Sequence, residues 1–101
     1  MIRHVVLFTF RETSPAEEVS AVVSAFRGLN GQVPEIQAFE WGLNISPEHF
    51  HQGFTHCFVL TFRSLEDLAA YQVHPAHLAF QEVLRPHMDR VFVVDYAPTA
   101  G

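Results

Sequence analysis

Tyr71, His74 and His77 fall in the run Tyr71-Gln72-Val73-His74-Pro75-Ala76-His77, one phenol and two imidazoles around a proline. Proline suits the first position of a helix, so the spacing predicts a chain break at His74 and a new helix opening on Pro75. His74 is then the cap of that helix, His77 lies in its first turn, and Tyr71 ends the helix before. A phenol beside an imidazole can serve as hydrogen-bond donor and general base, provided both face one pocket. The plainer alternative is that these side chains cap helices and fill gaps.

Seven His against six Lys plus Arg raise the question of a metal. There is no His-Glu-x-x-His pattern, and Cys57 alone cannot build a zinc cluster. His49 and His51 lie close together in a polar loop. Solvated or capping histidines are the expectation, with no dedicated transition-metal site.

The elements that must position the Tyr71–His77 segment follow from a chain of 101 residues, 49% of them apolar and ten of them Phe. That composition excludes disorder and fits one domain spanning 1–101. A formal charge of −5 without a basic run argues against nucleic acid. No segment approaches the roughly 20 apolar residues that span a bilayer. A strand begins just after Met1 without a signal-peptide layout, and a lone cysteine fits a reducing compartment. A cytoplasmic protein is expected.

Ile2–Phe10 (IRHVVLFTF) reads as a strand. Ser14-Pro15-Ala16-Glu17 reads as a capping box with Pro15 first in the helix, followed by the stripe Val19, Val22, Phe26 and Leu29. Glycines 28 and 31 end that helix. A second strand is expected over 36–45, with Phe39, Trp41 and Leu43 on one face, and a third over 54–62. Ser64 caps the next helix, whose Leu65, Leu68 and Ala69 face inward. The helix after Pro75 runs to about His87 with Leu78, Phe80, Leu84 and Met88 as apolar positions, and 90–96 is the last strand. Asp95, in that apolar strand, needs a partner, and an Arg or backbone group is expected.

The order β-α-β-β-α-α-β is most economically an α+β, ferredoxin-like sheet of four antiparallel strands with its helices on one face. The strands are apolar on both faces, Val5 and Leu7 as well as Val6 and Phe8. A face left uncovered by helices marks an association site. A homodimer packed sheet to sheet is therefore expected, with Trp41 in the sheet or at that interface and Cys57 facing the partner.

The chain resembles the stress-responsive A/B barrel domain family, the dimeric α-β barrel group. The resemblance is carried over nearly the whole length by Ile2-Arg3-His4-Val5-Val6-Leu7-Phe8, Phe39-Glu40-Trp41-Gly42, Gln52-Gly53-Phe54-Thr55-His56, the Tyr71–His77 segment and Val93-Val94-Asp95-Tyr96. It implies a dimeric α/β barrel. By likeness to a plant polyketide cyclase of that family, it also implies an aldol closure needing no cofactor. In that likeness Tyr71 and His77 are the catalytic pair, and His4 and His56 match two further functional histidines. The first-turn position of His77, near the positive end of its helix, leaves a neutral base. Phe26 and Met88 replace a tyrosine and a tryptophan of the cyclase, which changes substrate choice. Some members hold a cation on backbone carbonyls matching Asn30, Val33 and Ile36.

The candidate site is thus Tyr71, His77 and His4 as catalytic groups. Val6, Phe8, Phe26, His56, His74, Phe80 and Met88 are the substrate contacts, and the ligand is a small apolar or aromatic metabolite. Antiparallel pairing of the first and third strands puts His4 and His56 at opposite ends, too far apart to share one substrate atom. The alternatives are a non-catalytic, stress-associated ligand-binding dimer and a cofactor-independent monooxygenase of related architecture.

Overall fold

A computed structural model describes residues 1–100. Strand β1 (Ile2–Phe10) leads into helix α1 (Ala16–Gly28), closed by a 3-10 turn over Leu29–Gly31. Then come β2 (Ala38–Leu43), β3 (His56–Phe62), helices α2 (Leu65–Val73) and α3 (Pro75–Leu84), and β4 (Met88–Tyr96). The strands form one antiparallel sheet in the order β2-β3-β1-β4, so the first and third strands lie at its centre. This is the expected ferredoxin-like arrangement.

Alternation along β1 separates the two faces. His4, Val6 and Phe8 are buried, whereas Val5 and Leu7 are only half-buried. The buried set joins Phe58, Leu60 and Phe62 of β3 to Val22, Val23 and Phe26 of α1, Leu68 and Tyr71 of α2, and Phe80 and Leu84 of α3. The helices therefore cover one face. On the other, Phe92, Val94 and Tyr96 of β4 are 52%, 42% and 48% exposed.

Several boundaries differ from expectation for local reasons. Ser14 does not cap α1. Pro15 occupies the cap position, and the Ser14 hydroxyl bonds His87 Nδ1 at 2.8 Å instead. Ser64 does cap α2, accepting the Asp67 N–H at 3.2 Å. β2 is shorter than expected because Ile36 drops into the core while Ile45 is 90% exposed. β3 starts at His56, after a turn with positive φ at Gln52 and Gly53. That turn sends Phe54 to the open face, where its ring lies 6.2 Å from Phe92. Leu65, Ala69 and Leu78 are exposed, since these short helices bury only a narrow stripe. α3 ends at Leu84, and β4 begins two residues early across a register shift at Thr9/Phe10. No helix among the described residues is long and apolar enough to cross a membrane.

Candidate active site

The break between α2 and α3 is built as its sequence dictates. His74 is extended (φ −63°, ψ 136°), its Nδ1 accepts the Ala76 N–H at 3.0 Å, and Pro75 opens α3. Its backbone N–H reaches back to α2, donating to the Tyr71 carbonyl at 3.1 Å. His74 is therefore spent on the junction and does not line the cavity described below.

That junction brings Tyr71 and His77 together, their ring centroids 4.3 Å apart. Tyr71 is 1% exposed, packed against Phe62 on one side and meeting the His4 ring edge-on at 5.8 Å. Burial pushes its phenol well above the usual tyrosine range, so it stays a donor. No buried side-chain polar atom among the described residues lacks a partner, and none is found for the Tyr71 hydroxyl, which is thus open to the cavity.

His77 Nδ1 lies 3.1 Å from the Gln72 carbonyl oxygen. A carbonyl only accepts, so Nδ1 carries the hydrogen and Nε2 keeps its lone pair. Burial lowers the His77 pKa. The Gln72 bond opposes that shift, and charge on nearby His4 adds to it. The imidazole is consequently neutral, with the free nitrogen a base requires.

His4 has a partner that sequence reading did not supply. Its Nδ1 lies 2.5 Å from Asp95 Oδ1 across the β1–β4 pair, where the two residues are directly opposite. The expectation of an Arg or backbone partner for Asp95 is therefore corrected. A carboxylate on Nδ1 fixes ring orientation and leaves Nε2 as the unengaged nitrogen, the logic of a histidine oriented by a carboxylate.

These groups line a cavity of about 520 Å³ between the sheet and α2–α3. Val6, Phe8, Phe26, Phe80, Leu84 and Met88 supply its apolar wall, with His4, Tyr71 and His77 among its polar groups. Phe26 and Phe80 stack at 4.6 Å and do not plug it. Val91 and Val93 also line it yet stay 45% and 47% exposed, so it opens along the β4 edge.

His56 lies outside this cavity. Phe8 is its register partner and His4 faces Leu60, which puts the two histidines at opposite ends of the sheet. The His56 ring stacks on Trp41, 6.1 Å away and 4° from parallel, and meets Phe10 edge-on at 4.8 Å. Trp41 is thereby on the helix side of the sheet, not on the open face. No group of three or more His, Cys, Asp or Glu among the described residues is placed to hold a metal ion. The Val33 carbonyl accepts the Ile36 N–H at 3.2 Å, and none of Asn30, Val33 and Ile36 lines the cavity.

A sheet closed on one face by three helices, with a phenol and two imidazoles in a mostly apolar cavity, defines the class. Residues 2–98 match the stress-responsive A/B barrel domain, and the chain belongs to that family. It is 36% identical over 99 residues to the stress-response A/B barrel domain-containing protein HS1 of Arabidopsis thaliana, covering 98% of this chain and 91% of that one. It is 25% identical to olivetolic acid cyclase of Cannabis sativa, with 96% of each covered. Among solved structures, an Arabidopsis thaliana protein superposes with a TM-score of 0.94 at 36% identity, covering 100% and 98% of the two chains. The hydroxynitrile lyase of Passiflora edulis shares the fold, at a TM-score of 0.92 and 24% identity over 99% and 94%. A Bacteroides fragilis structure described as a dimeric protein of ferredoxin-like fold matches at 0.75 and 29% over 94% and 93%.

Proposed function

We propose that this protein is a homodimeric, cofactor-free catalyst of proton transfer beside a carbonyl, acting on a small, largely apolar organic molecule in an aldol-type closure or isomerisation. The observation that carries the reading is the shared cavity wall of Tyr71 and His77, whose environments push their proton affinities apart. His77 Nε2 takes a proton from the carbon next to the carbonyl. The C–H electron pair moves into the oxygen, and the Tyr71 hydroxyl donates to that oxygen as it gains charge. In a closure the enolate carbon attacks a second carbonyl, and His77 returns its proton to the new alkoxide. His4, oriented by Asp95, sits beside Tyr71 at the same wall. Likeness to a relative named a cyclase supports this chemistry.

The dimer joins the open sheet faces, on which Val5 and Leu7 of β1 lie beside Val94 and Phe92 of β4 within each protomer. A contiguous apolar face of that kind is an association surface, and relatives described as dimeric support it. The free, half-buried Cys57 fits a reducing cytoplasm.

The test is exchange of the α-protons of an uncharged ketone in heavy water, followed by NMR. Wild type should accelerate exchange, and Tyr71→Phe and His77→Ala should each slow it about a hundredfold or more. Binding without exchange would sink the catalytic reading in favour of a ligand-binding dimer.

A further inference from the structure

His77, Gln81 and Arg85 follow one another at four-residue spacing along α3 and its cap, and all three line the cavity. At 1.5 Å per residue, His77 and Arg85 stand about 12 Å apart along the helix axis. Phe80, Leu84, Met88 and Val91 belong to the apolar wall of the same cavity.

The charge at the two ends differs. The chain carries −5 overall, yet no Asp or Glu lines the cavity, and Arg85 is its one permanently charged residue. Arg85 lines the cavity, and its guanidinium, on a side chain 64% exposed, pairs with a Glu82 that is 70% exposed. A pair in that setting is weak, so a ligand carboxylate can replace Glu82 at little cost. Arginine also matches a carboxylate in a two-point fork.

We infer that the cavity takes an elongated oxo acid, its carbonyl at Tyr71 and His77 and its carboxylate at Arg85. This names the substrate class for the site proposed above and rests on that reading for the carbonyl end. An extended chain advances about 1.2 Å per bond. The roughly 12 Å between His77 and Arg85 then places carbonyl and carboxyl carbons about ten bonds apart, joined by an apolar chain.

The experiment is calorimetric titration with oxododecanoic acid bearing its ketone at the penultimate carbon, with the methyl ester of that acid and with levulinic acid. The long acid should bind about tenfold more tightly than its ester and than levulinic acid. Arg85→Gln should remove the preference over the ester, while Glu82→Gln should strengthen acid binding. The Arg85 side chain is exposed, and its backbone N–H to Gln81 is retained in the variant, so folding is not at risk. Equal affinity for acid and ester, no binding of either, or a preference that survives Arg85→Gln overturns the inference. Exchange on the uncharged ester is read separately. Its presence without an acid preference leaves the catalytic reading standing, and an acid preference without exchange removes only that reading.

Discussion

His4 and Asp95, 91 positions apart in the chain, meet at 2.5 Å across directly opposed positions of β1 and β4. The imidazole is buried, while a third of the carboxylate side chain is exposed, at 34%. A hydrogen bond with one charged partner contributes about 1.5–3 kcal/mol, and partial exposure moves this pair to the lower end. Asp95→Ala should therefore cost about 1.5 kcal/mol in urea denaturation. Asp95→Asn, which can still bond but favours the other tautomer, should lose turnover more than stability. Equal losses in both measurements would make Asp95 a structural residue only.

Tyr71 differs from an ordinary surface phenol in one measurable way. Because burial holds it protonated, it should add no phenolate absorbance on alkaline titration until the chain unfolds. Wild type and Tyr71→Phe should trace the same curve up to that point. A missing component in the variant at lower pH would mean that the phenol is more solvated than its 1% exposure implies.

The pH dependence has a defined sign. The folded-state pKa values of His77 and His56 lie below the ordinary 6.5, through burial first in each case. The unfolded chain therefore binds more protons as pH falls through 6.5, and stability declines from there until the lowered folded pKa is passed. His77→Ala should flatten part of that acid-side decline in midpoint against pH. The acid limb of α-proton exchange should also fall below pH 6.5. A limb above that value would exclude His77 as the base.

The open sheet face supplies a test of assembly. Leu7, opposed by both Cys57 and Phe92, lies in the centre of that face. Leu7→Glu should bury a charge in the dimer while leaving the helix-covered core untouched. Light scattering should then report a monomer where wild type gives a dimer at micromolar concentration. A wild-type monomer under those conditions would remove the sheet-to-sheet proposal.

Much of the architecture was legible because its signals are local. The β1 boundaries coincide with expectation over Ile2–Phe10, and the Ser64 cap and Pro75 break appear where Ser and Pro place them. Local rules failed where a longer contact outbid them. Ser14 has the chemistry of a cap, yet it bonds His87, which β4 brings to the start of α1. Phe54 alternates with Phe58 in sequence, but the Gln52–Gly53 turn reverses its face before β3 begins.

The closeness of Tyr71 to His77 was determined by the chain itself, since a proline between two helices fixes both residues within one turn of the junction. The remoteness of His56 from His4 also followed from sequence, because antiparallel strands carry their starts to opposite ends. Which groups share the cavity was decided only by tertiary structure. The β1–β4 register sets Asp95 against His4, and the docking of α3 over the sheet brings Arg85 into the cavity lining. Register and docking depend on side chains distant in the chain, where periodicity shows which face a residue takes but not what it meets.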